Sequence, residues 1–523
     1  MRTEMKKSEL ITALQKFNIR RRTMQEASQD NHRVSGAHRR HKPMFIALHY
    51  RGLMRLTLCF VTAATLFLSA QELPKAPHAQ FFTLTPTSGN FTEPGIAVNP
   101  RNSQQVVAVF QDNAHAAYSH DAGHSWNVVD VAPKNYRVSG DVSTTFDNQG
   151  HAFICYIAFD KLGTFNYWAH GATRNGIFVK RSLDGGKTWE ADHIPVAEQK
   201  NEAGVPFEDK PYIVADNTKG KHAGNLYIGW TRWRIADSQI VLSRSTDDGK
   251  TWSEPVEIDA HPGLPRDDNG SAQGFAGVVA PDGKLYAIWS QDDQIMLNSS
   301  RDGGKTFSRA RAIIHTAPIM FAIQALQGAN GFPQIAVDPK GKRLYLTWSD
   351  YRNGDLDVFL VTSDDGGKHW SKPVRVNDDP LHNGAEQFFQ WLAVDPTDGS
   401  VNVLFYDRRG DPQNRKQIVV LARSTNGGNS FANYALTNEA FEASGVFFGD
   451  YTGLAASDGR VYGVWMEKPP QDTAAETKNK TEDGKDAKPK RAGTIVKLGT
   501  ADFNNKAVGL SHRADVAPTG QGQ

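Results

Sequence analysis

One eight-residue turn occurs six times along the chain and constrains its fold more than any other feature. The copies begin at Ser119, Ser182, Ser245, Ser300, Ser363 and Ser424, at intervals of 55 to 63 residues. They follow, with small departures, the pattern S-x-D-x-G-x-[TS]-[WF]. Self-similarity at such a period is typical of an array of identical supersecondary units. The sequence therefore predicts a repeat architecture.

The residues of the turn fit a tight hairpin corner. A short acidic side chain accepts hydrogen bonds from nearby backbone N–H groups, and glycine supplies positive φ. The closing tryptophan or phenylalanine offers apolar surface to bury between sheets. In the sixth copy Asn426 replaces the aspartate and keeps an acceptor oxygen. We therefore interpret the aspartates as structural rather than catalytic: Asp121, Asp184, Asp247, Asp302 and Asp365.

This turn resembles the Asp-box of the sialidase (neuraminidase) superfamily and of other bacterial-neuraminidase-repeat (BNR) proteins, which are β-propellers. The chain also contains seven similar strand openings, which begin at Glu93, Asp141, Asp209, Gln273, Phe332, Phe389 and Asp450. The last unit lacks the turn. The segment from Gly493 is predicted to continue it, and residues 79–86 to complete it from the other end of the chain, which closes the ring. We predict an all-β, seven-bladed β-propeller; the alternative is a six-bladed, sialidase-type propeller.

The segments outside the repeats carry different signals. Residues 54–70 are apolar after one positive charge and end in small residues, as a secretory signal peptide does. This predicts export to the periplasm or medium with no stable membrane span after processing; the alternative is a signal anchor in the membrane. Residues 1–53 are predicted to be disordered or not translated, 79–505 to form the propeller, 468–492 to be a disordered insertion in the last blade, and 506–523 to be a flexible tail.

The charge balance narrows the choice of partner. The chain has 59 basic and 57 acidic residues and a net charge of +2. Such a balance gives no reason to expect a nucleic acid as partner. The oligomeric state is left open by the sequence.

Candidate functional residues lie in the loops on the face opposite to the repeated turn. Arginine suits a carboxylate or sulfate because its planar fork binds two oxygens, and paired carboxylates suit glycosidic acid/base chemistry. The substrate-binding candidates are Arg232, Arg352, Arg408, Arg409, Glu93 and Asp450. The alternative is that Arg352, Arg408 and Arg409 pair with Asp350, Asp407 and Asp411 on a solvated rim.

The resemblance to sialidases implies roles for several of these residues. The segment from Tyr451 to Glu467 is similar to the last-blade stretch that carries the nucleophilic tyrosine, so the resemblance implies Tyr451 as nucleophile and Asp209 or Glu386 as the group that takes its proton. It also implies an arginine triad from Arg232, Arg352 and Arg408 or Arg409. The family's aromatic-Arg-Ile-Pro signature on the first blade is replaced here by residues 92–96, TEPGI.

Two functions follow from these residues. The first is a glycoside hydrolase that acts on an acidic or polar glycan, which Tyr451 and the arginines favour. The second is a non-catalytic propeller that binds a glycan or a protein through the same face, which the absent first-blade arginine favours. No cofactor is expected. The oxygen-rich loop near Asp350, Asp355 and Asp357 has two interpretations, a calcium site and a solvated turn.

Overall fold

The computed structural model describes residues 73–85, 89–160, 174–200, 206–266, 268–317, 323, 326, 329–469 and 493–504. The predicted signal peptide and the segments 1–53 and 506–523 lie outside these ranges, as does nearly all of the predicted insertion 468–492. Within the described ranges, the search for a helix of the length and apolar content that a bilayer span requires finds none.

The described chain folds into strands that are connected in sequence order. After β1 (Gln80–Thr83), the first three blades are formed by β2 (Thr92–Val98), β3 (Val106–Gln111), β4 (His115–Ser119) and β5 (Asn127–Asp130); β6 (Val138–Phe146), β7 (Ala152–Phe159), β8 (Arg174–Ser182) and β9 (Ile194–Lys200); and β10 (Phe207–Ala215), β11 (Leu226–Trp233), β12 (Ser238–Ser245) and β13 (Val256–Glu257).

The next three blades repeat this order. They are formed by β14 (Gln273–Val279), β15 (Leu285–Gln291), β16 (Gln294–Ser300) and β17 (Arg311–His315); β18 (Gln334–Val337), β19 (Leu344–Asp350), β20 (Asp357–Ser363) and β21 (Val374–Arg375); and β22 (Gln387–Val394), β23 (Val401–Asp407), β24 (Lys416–Ser424) and β25 (Ala432–Ala435), with the short β26 (Phe441–Glu442) beside β24.

The seventh blade joins the two ends of the described chain. Its strands β27 (Gly453–Ser457), β28 (Arg460–Glu467) and β29 (Ile495–Asp502) continue into β1, which pairs antiparallel with β29 so that Phe82 lies opposite Leu498. The predicted closure by residues 79–86 is thereby confirmed. The protein is an all-β, seven-bladed β-propeller, and the alternative of six blades is wrong because each of the seven predicted openings has its own sheet.

Neighbouring blades pack through apolar residues of their central strands. Four second strands carry a tryptophan at an equivalent position, and all four side chains are buried: Trp230, Trp289, Trp348 and Trp465. The apolar residues of the blades form separate clusters, and the aromatic residue of each repeated turn packs at the edge of one of them. Trp252, for example, lies against the cluster that contains Trp230. Burial of this kind is the main favourable contribution to the stability of a fold.

The repeated turn joins the third and fourth strands of six blades, and its hydrogen bonds agree with the prediction from sequence. In the fourth copy, Asp302 Oδ1 accepts hydrogen bonds from Ser300 Oγ at 2.8 Å and from the Thr306 backbone N–H at 2.9 Å, and Oδ2 accepts one from Thr306 Oγ1 at 2.6 Å. Burial acts to raise the pKa of Asp302, but the hydrogen bonds from Thr306 and Ser300 outweigh it and lower that pKa. The carboxylate is therefore held in its charged form as part of the turn.

We expect Asp302→Ala to lower the free energy of unfolding by about 1–2 kcal/mol, because four donors, including the Lys305 N–H, lose their acceptor. Asp302→Asn should cost less, since Asn426 in the sixth copy accepts from Ser424 Oγ at 2.8 Å and from the Ser430 N–H at 3.1 Å. A folded-state pKa below the unfolded one gives stability that is lost as the pH falls through it, so the difference between wild type and Asp302→Ala should shrink in acid. Urea unfolding measures both effects. An equal cost for the two variants would contradict this account of the turn.

Candidate functional site

The inner strands of five blades contain a β-bulge close to the propeller axis. The pairing register shifts in β2, β6, β10, β14 and β22. One residue inside each bulge has positive φ: Glu93 (52°), Asp141 (45°), Lys210 (50°), Gly274 (73°) and Phe389 (52°). A bulge redirects a side chain and is over-represented beside active sites. A left-handed conformation at a charged or bulky residue is unusual and is often found where function requires it.

These positions belong to a ring with one member per blade. In each blade, the fourth residue of the second strand pairs with a residue of the first strand, and the ring member lies two residues before that partner. In β28 the count starts at Val461. The seven members, which we call the axial ring, are Glu93, Asp141, Lys210, Gly274, Phe332, Phe389 and Tyr451. Three consecutive blades thus carry a charged residue at the same structural position.

The charged members are linked by hydrogen bonds to one another and to the blade edges. Gln111 Nε2 donates to the Glu93 carboxyl, and Gln111 Oε1 accepts from the Asp141 N–H at 2.9 Å. The Asp450 N–H donates to Glu93 Oε1 at 3.2 Å, and the Lys210 N–H donates to Asp141 Oδ2 at 3.3 Å. We refer to Glu93, Asp141, Lys210 and Asp450 as the axial cluster.

Burial shifts the pKa values of two groups in the axial cluster, Glu93 and Lys210, in opposite directions. Burial, which leaves Glu93 only 2% exposed, raises the pKa of that carboxyl well above its usual value, and the adjacent Asp141 and Asp450 carboxylates raise it further. The same burial lowers the pKa of Lys210, an effect that Asp450, Asp141 and Glu93 oppose. Glu93 is therefore suited to hold a proton at neutral pH, as a proton donor must.

The Lys210 ammonium lies between two aromatic members of the ring. Its Nζ is 3.8 Å from the ring centroid of Tyr451 and 4.9 Å from that of Phe332, which is cation–π geometry. Gly274 makes room for this arrangement, because a Cβ at that position would lie 2.4 Å from the Phe332 ring. Lys210 and Tyr451 also border an axial cavity of about 100 Å³, whose other lining residues include Val142, Tyr212 and Trp391.

The structure brings some of the predicted residues together and separates others. Glu93, Asp450 and Tyr451 meet at the axis, where the Tyr451 hydroxyl donates to the Val142 carbonyl at 3.2 Å. Asp209 precedes Lys210 and accepts a hydrogen bond from Trp233 Nε1 at 2.9 Å.

The second predicted partner of Tyr451, Glu386, contacts a different phenol. Tyr351 Oη donates to Glu386 Oε1 at 3.1 Å, and Arg408 Nη1 donates to Glu386 Oε2 at 3.0 Å. Burial raises the pKa of Glu386, while Arg408 and the hydrogen bond from Tyr351 oppose the shift. The role of Tyr451 as nucleophile stays a prediction, and Tyr351 with Glu386 forms a further tyrosine–carboxyl pair between the fifth and sixth blades.

Each predicted arginine contacts an acidic residue of its own blade. The closest N–O distances are 2.8 Å for Arg232–Glu208, 2.6 Å for Arg352–Asp350, 3.0 Å for Arg408–Glu386 and 2.7 Å for Arg409–Asp407. Arg352 and Arg409 therefore form the pairs expected for a rim. Arg408 instead pairs across the sheet with Glu386, because its side chain is buried and Asp411 accepts backbone hydrogen bonds from Arg415 and Lys416.

The oxygen-rich loop named as a possible calcium site has cationic partners of its own. Asp350 pairs with Arg352, and Asp357 Oδ1 accepts from Arg375 Nε at 2.6 Å. Asp355 Oδ2 accepts from the Gly384 N–H at 3.1 Å. Calcium binding by Asp350, Asp355 and Asp357 stays a prediction.

One other group of described residues has the spacing of metal ligands, on the face of the repeated turn. His151 Nδ1 lies 3.1 Å from both Asp147 Oδ2 and Asp248 Oδ1. Asp248 also forms an ion pair with Arg181, so the positive charge of this side chain already balances the carboxylate. The group links the second and third blades.

Sequence reasoning missed two members of the site. Lys210 is not among the residues predicted for the site, and the role of Gln111 depends on the Glu93 carboxyl and the Asp141 N–H, which belong to two different blades. An alignment of the seven inner strands on the second-strand pairing would have placed Lys210 in one column with Glu93 and Asp141. A charged residue in a column that otherwise contains glycine and aromatic residues is the signal that was available.

Comparison with known proteins adds sequence and fold similarity. No model of a known protein family matches the chain. It is 37% identical over 100 residues to a sialidase of Bacteroides fragilis (strain YCH46), an alignment that covers 16% of this chain and 18% of that protein. It is 27% identical over 213 residues to a xyloglucanase of a Paenibacillus species, covering 38% of this chain and 18% of that protein. The chain thus spans under a fifth of the length of each curated relative.

Solved structures with a similar arrangement have low sequence identity. The leech intramolecular trans-sialidase is 14% identical with a TM-score of 0.42, and 69% of each chain is covered. An α-L-arabinofuranosidase of Fusarium graminearum is 14% identical with a TM-score of 0.42, covering 70% of this chain and 94% of that one. YCF48 bound to D1 peptide is 13% identical with a TM-score of 0.42, covering 83% and 99%.

The fold, the axial residues and the sequence similarity together indicate what kind of protein this is. The chain is a seven-bladed propeller that gathers carboxyl groups and one lysine at its axis. Its seven-sheet ring and its local identity to a sialidase place it in the superfamily of sialidase-type β-propellers.

Proposed function

We propose that this protein is a glycoside hydrolase that cleaves its substrate at the axial cluster, with Glu93 as the proton donor and Asp141 as the neighbouring carboxyl group that supports it. The observation that carries the proposal is the burial of Glu93 against the Asp141 carboxyl group: burial first, and then the contact with Asp141, raises the pKa of Glu93 well above its usual value. Glycoside hydrolysis requires one carboxyl group that is protonated and one that is charged. Curated relatives are named as a sialidase and a xyloglucanase, and both names denote enzymes that act on glycans.

In this proposal Glu93, Asp141 and Lys210 each have a defined task. The Glu93 hydroxyl transfers its proton to the glycosidic oxygen as the bond to the anomeric carbon breaks. The Asp141 carboxyl, hydrogen-bonded to Glu93, helps to keep Glu93 protonated before this step, and the water that replaces the leaving group then returns a proton to the Glu93 carboxylate. Lys210, which neighbours both carboxyl groups, stabilises the negative charge while Glu93 is deprotonated.

The second candidate function is a non-catalytic propeller that binds a glycan or a protein through the same face. The observation that favours it is the pairing of Arg232, Arg352 and Arg409 with acidic residues of their own blades. Arginines engaged in this way rigidify the rim and do not by themselves capture a substrate carboxylate. Export through the predicted signal peptide is compatible with both functions and is proposed with them.

Release of the aryl group from a panel of aryl glycosides, including the sialic acid glycoside, tests the proposal. We expect turnover of at least one substrate, with a rate that falls as the pH rises through the raised pKa of Glu93, because the proton donor is then lost. Tyr451→Phe should keep most of this activity, since the hydroxyl donates to a backbone carbonyl. Loss of all turnover in Tyr451→Phe would assign the reaction to a tyrosine nucleophile instead. Binding of glycans with no turnover on any substrate would favour the second candidate function.

A further inference from the structure

A small polar pocket lies beside the axial cluster, between the fourth and fifth blades. Its volume is about 40 Å³, and its lining includes Gln273, Ser290, Asp293, Asn330, Phe332 and Ser349. A water molecule needs roughly 10–15 Å³ by this kind of measure, so the pocket holds a hydroxyl or hydroxymethyl group rather than a whole sugar ring. We call it the Ser349 pocket.

The Ser349 pocket shares a wall with the axial ring. Phe332 lines the pocket, and its ring also faces Lys210 Nζ at 4.9 Å. Asn330, on the same wall, donates from Nδ2 to the Asp450 carbonyl at 3.1 Å. The pocket and Lys210 of the axial cluster therefore lie on either side of the Phe332 ring, as neighbouring subsites of one ligand would.

The pocket contains a polar atom that lacks a partner. The Ser349 side chain is 2% exposed, and its Oγ has no hydrogen-bond partner among the residues that the structure describes. An unpaired buried hydroxyl is costly, by about 1–3 kcal/mol, unless a bound group satisfies it. A ligand hydroxyl can both donate to and accept from Ser349 Oγ.

The charges around the pocket select against anions. Asp293 and Asp268 are the charged residues of its lining, which has no lysine, arginine or histidine among the described residues. The Asp268 carboxylate contacts the exposed Arg266. At the axis, the carboxyl groups of Glu93, Asp141 and Asp450 face the single ammonium of Lys210. A sugar that carries a carboxylate would meet like charge on both sides of Phe332.

From this arrangement we infer that the Ser349 pocket is a subsite for a neutral, hydroxyl-bearing unit of the glycan, and that the protein prefers neutral glycans to glycans with a carboxylate. The inference rests on the proposed function and deepens it, because it states the class of substrate. The hydroxyl of the ligand hydrogen-bonds to Ser349 Oγ, and the amides of Gln273 and Asn330 offer further donors and acceptors.

Binding to pairs of glycans that differ by a carboxylate tests the inference. The probes are lactose against 3′-sialyllactose and cellobiose against cellobiouronic acid, titrated into the full chain by calorimetry. We expect binding of at least one neutral member, and affinity for its acidic counterpart to be lower by roughly tenfold or more, because like charges face each other across the site. Tighter binding of the acidic members would overturn the inference.

Variants of the pocket locate the binding. Ser349→Ala should weaken binding of the neutral probe by roughly fivefold to tenfold, the effect of one lost hydrogen bond. Ser308→Ala, which removes an exposed serine hydroxyl on the turn face, should leave that affinity unchanged. If Ser349→Ala does not fold, Asp293→Asn serves instead, since Asp293 is exposed in a hairpin turn, and it should reduce the discrimination against the acidic probe. Unchanged binding and discrimination in the folded variants would overturn the inference.

Further outcomes separate this inference from the proposed function. Binding of calcium chloride that depends on Ser349 and Asp293, with no binding of any probe, would overturn the inference in favour of a cation site. Binding of neutral probes that depends on Ser349, with no hydrolysis of any glycoside, would support the subsite and refute the enzymatic role of the axial cluster. Hydrolysis that is insensitive to Ser349→Ala would support the enzymatic role of the axial cluster and refute the subsite.

Discussion

Replacing Glu93 by glutamine is expected to reduce kcat by roughly 100-fold to 10,000-fold on a glycoside with a poor leaving group, the usual contribution of a general acid. Glutamine has nearly the same shape, and its carbonyl oxygen still accepts the hydrogen bond from the Asp450 N–H, which is 3.2 Å long in the wild type. The substitution therefore removes the transferable proton and keeps the shape of the side chain, while the hydrogen bond from Gln111 Nε2 loses its acceptor.

The choice of leaving group makes this experiment specific. A nitrophenolate leaves without protonation, whereas an alkoxide needs a proton, so Glu93→Gln should retain much more activity on 4-nitrophenyl glycosides than on methyl glycosides. The fall in wild-type rate at high pH should also disappear in the variant, because the group responsible for it has gone.

A matched control comes from an exposed carboxyl group on the opposite face. Glu254→Gln changes the same chemical group after the third copy of the repeated turn and should leave both substrates unaffected. An equal loss of activity on nitrophenyl and methyl glycosides in Glu93→Gln would show that Glu93 supports the structure of the site and is not the proton donor.

The features that could be predicted from the sequence are those fixed by local residue patterns. The role of Asp302 followed from a turn whose donors and acceptors lie within a few residues of one another. The closing strand around Phe82 followed from counting, because the last blade lacked a strand and the start of the repeats had one in excess. Glu93, Asp450 and Tyr451 were placed near the axis because they begin inner strands.

The features that could not be predicted depend on contacts between distant segments. Arg408 pairs with Glu386 rather than with Asp411, since burial across the sheet decides the partner and not proximity in sequence. The contact of Lys210 with Tyr451 joins residues from the third and seventh blades, which become neighbours only when the ring is closed. The bulges that direct the axial ring inward have no residue pattern in common, because Glu93, Gly274 and Phe389 occupy the same position.

Replacing Lys210 by methionine is the second large effect, and it concerns stability. Methionine keeps an apolar stem between the Tyr451 and Phe332 rings but removes the ammonium that faces the carboxyl groups of Glu93, Asp141 and Asp450. Removing one partner of a buried charged group leaves the others uncompensated, and we expect the free energy of unfolding to fall by about 3 kcal/mol near neutral pH.

The destabilisation should depend on pH with a definite sign. Loss of the lysine raises the folded-state pKa of Glu93 further above its unfolded value, since Lys210 is the group that lowers it in the wild type. A group with a raised folded pKa contributes stability that is present below the unfolded pKa and lost as the pH rises through the folded one. Lys210→Met should therefore be less destabilised at about pH 4.5, near the unfolded pKa of glutamate, than above about pH 7, where the loss of stability should be largest.

Urea unfolding followed by tryptophan fluorescence at both pH values measures this difference. Lys187→Met, which removes an exposed lysine of the second repeated turn, is the matched control and should show no such pH dependence. Lys210→Arg keeps the positive charge and should recover part of the stability, because guanidinium also lies well over aromatic rings. A loss of stability in Lys210→Met that is the same at both pH values would mean that Lys210 acts through packing on Tyr451 and Phe332, and that the carboxyl groups at the axis do not depend on its charge.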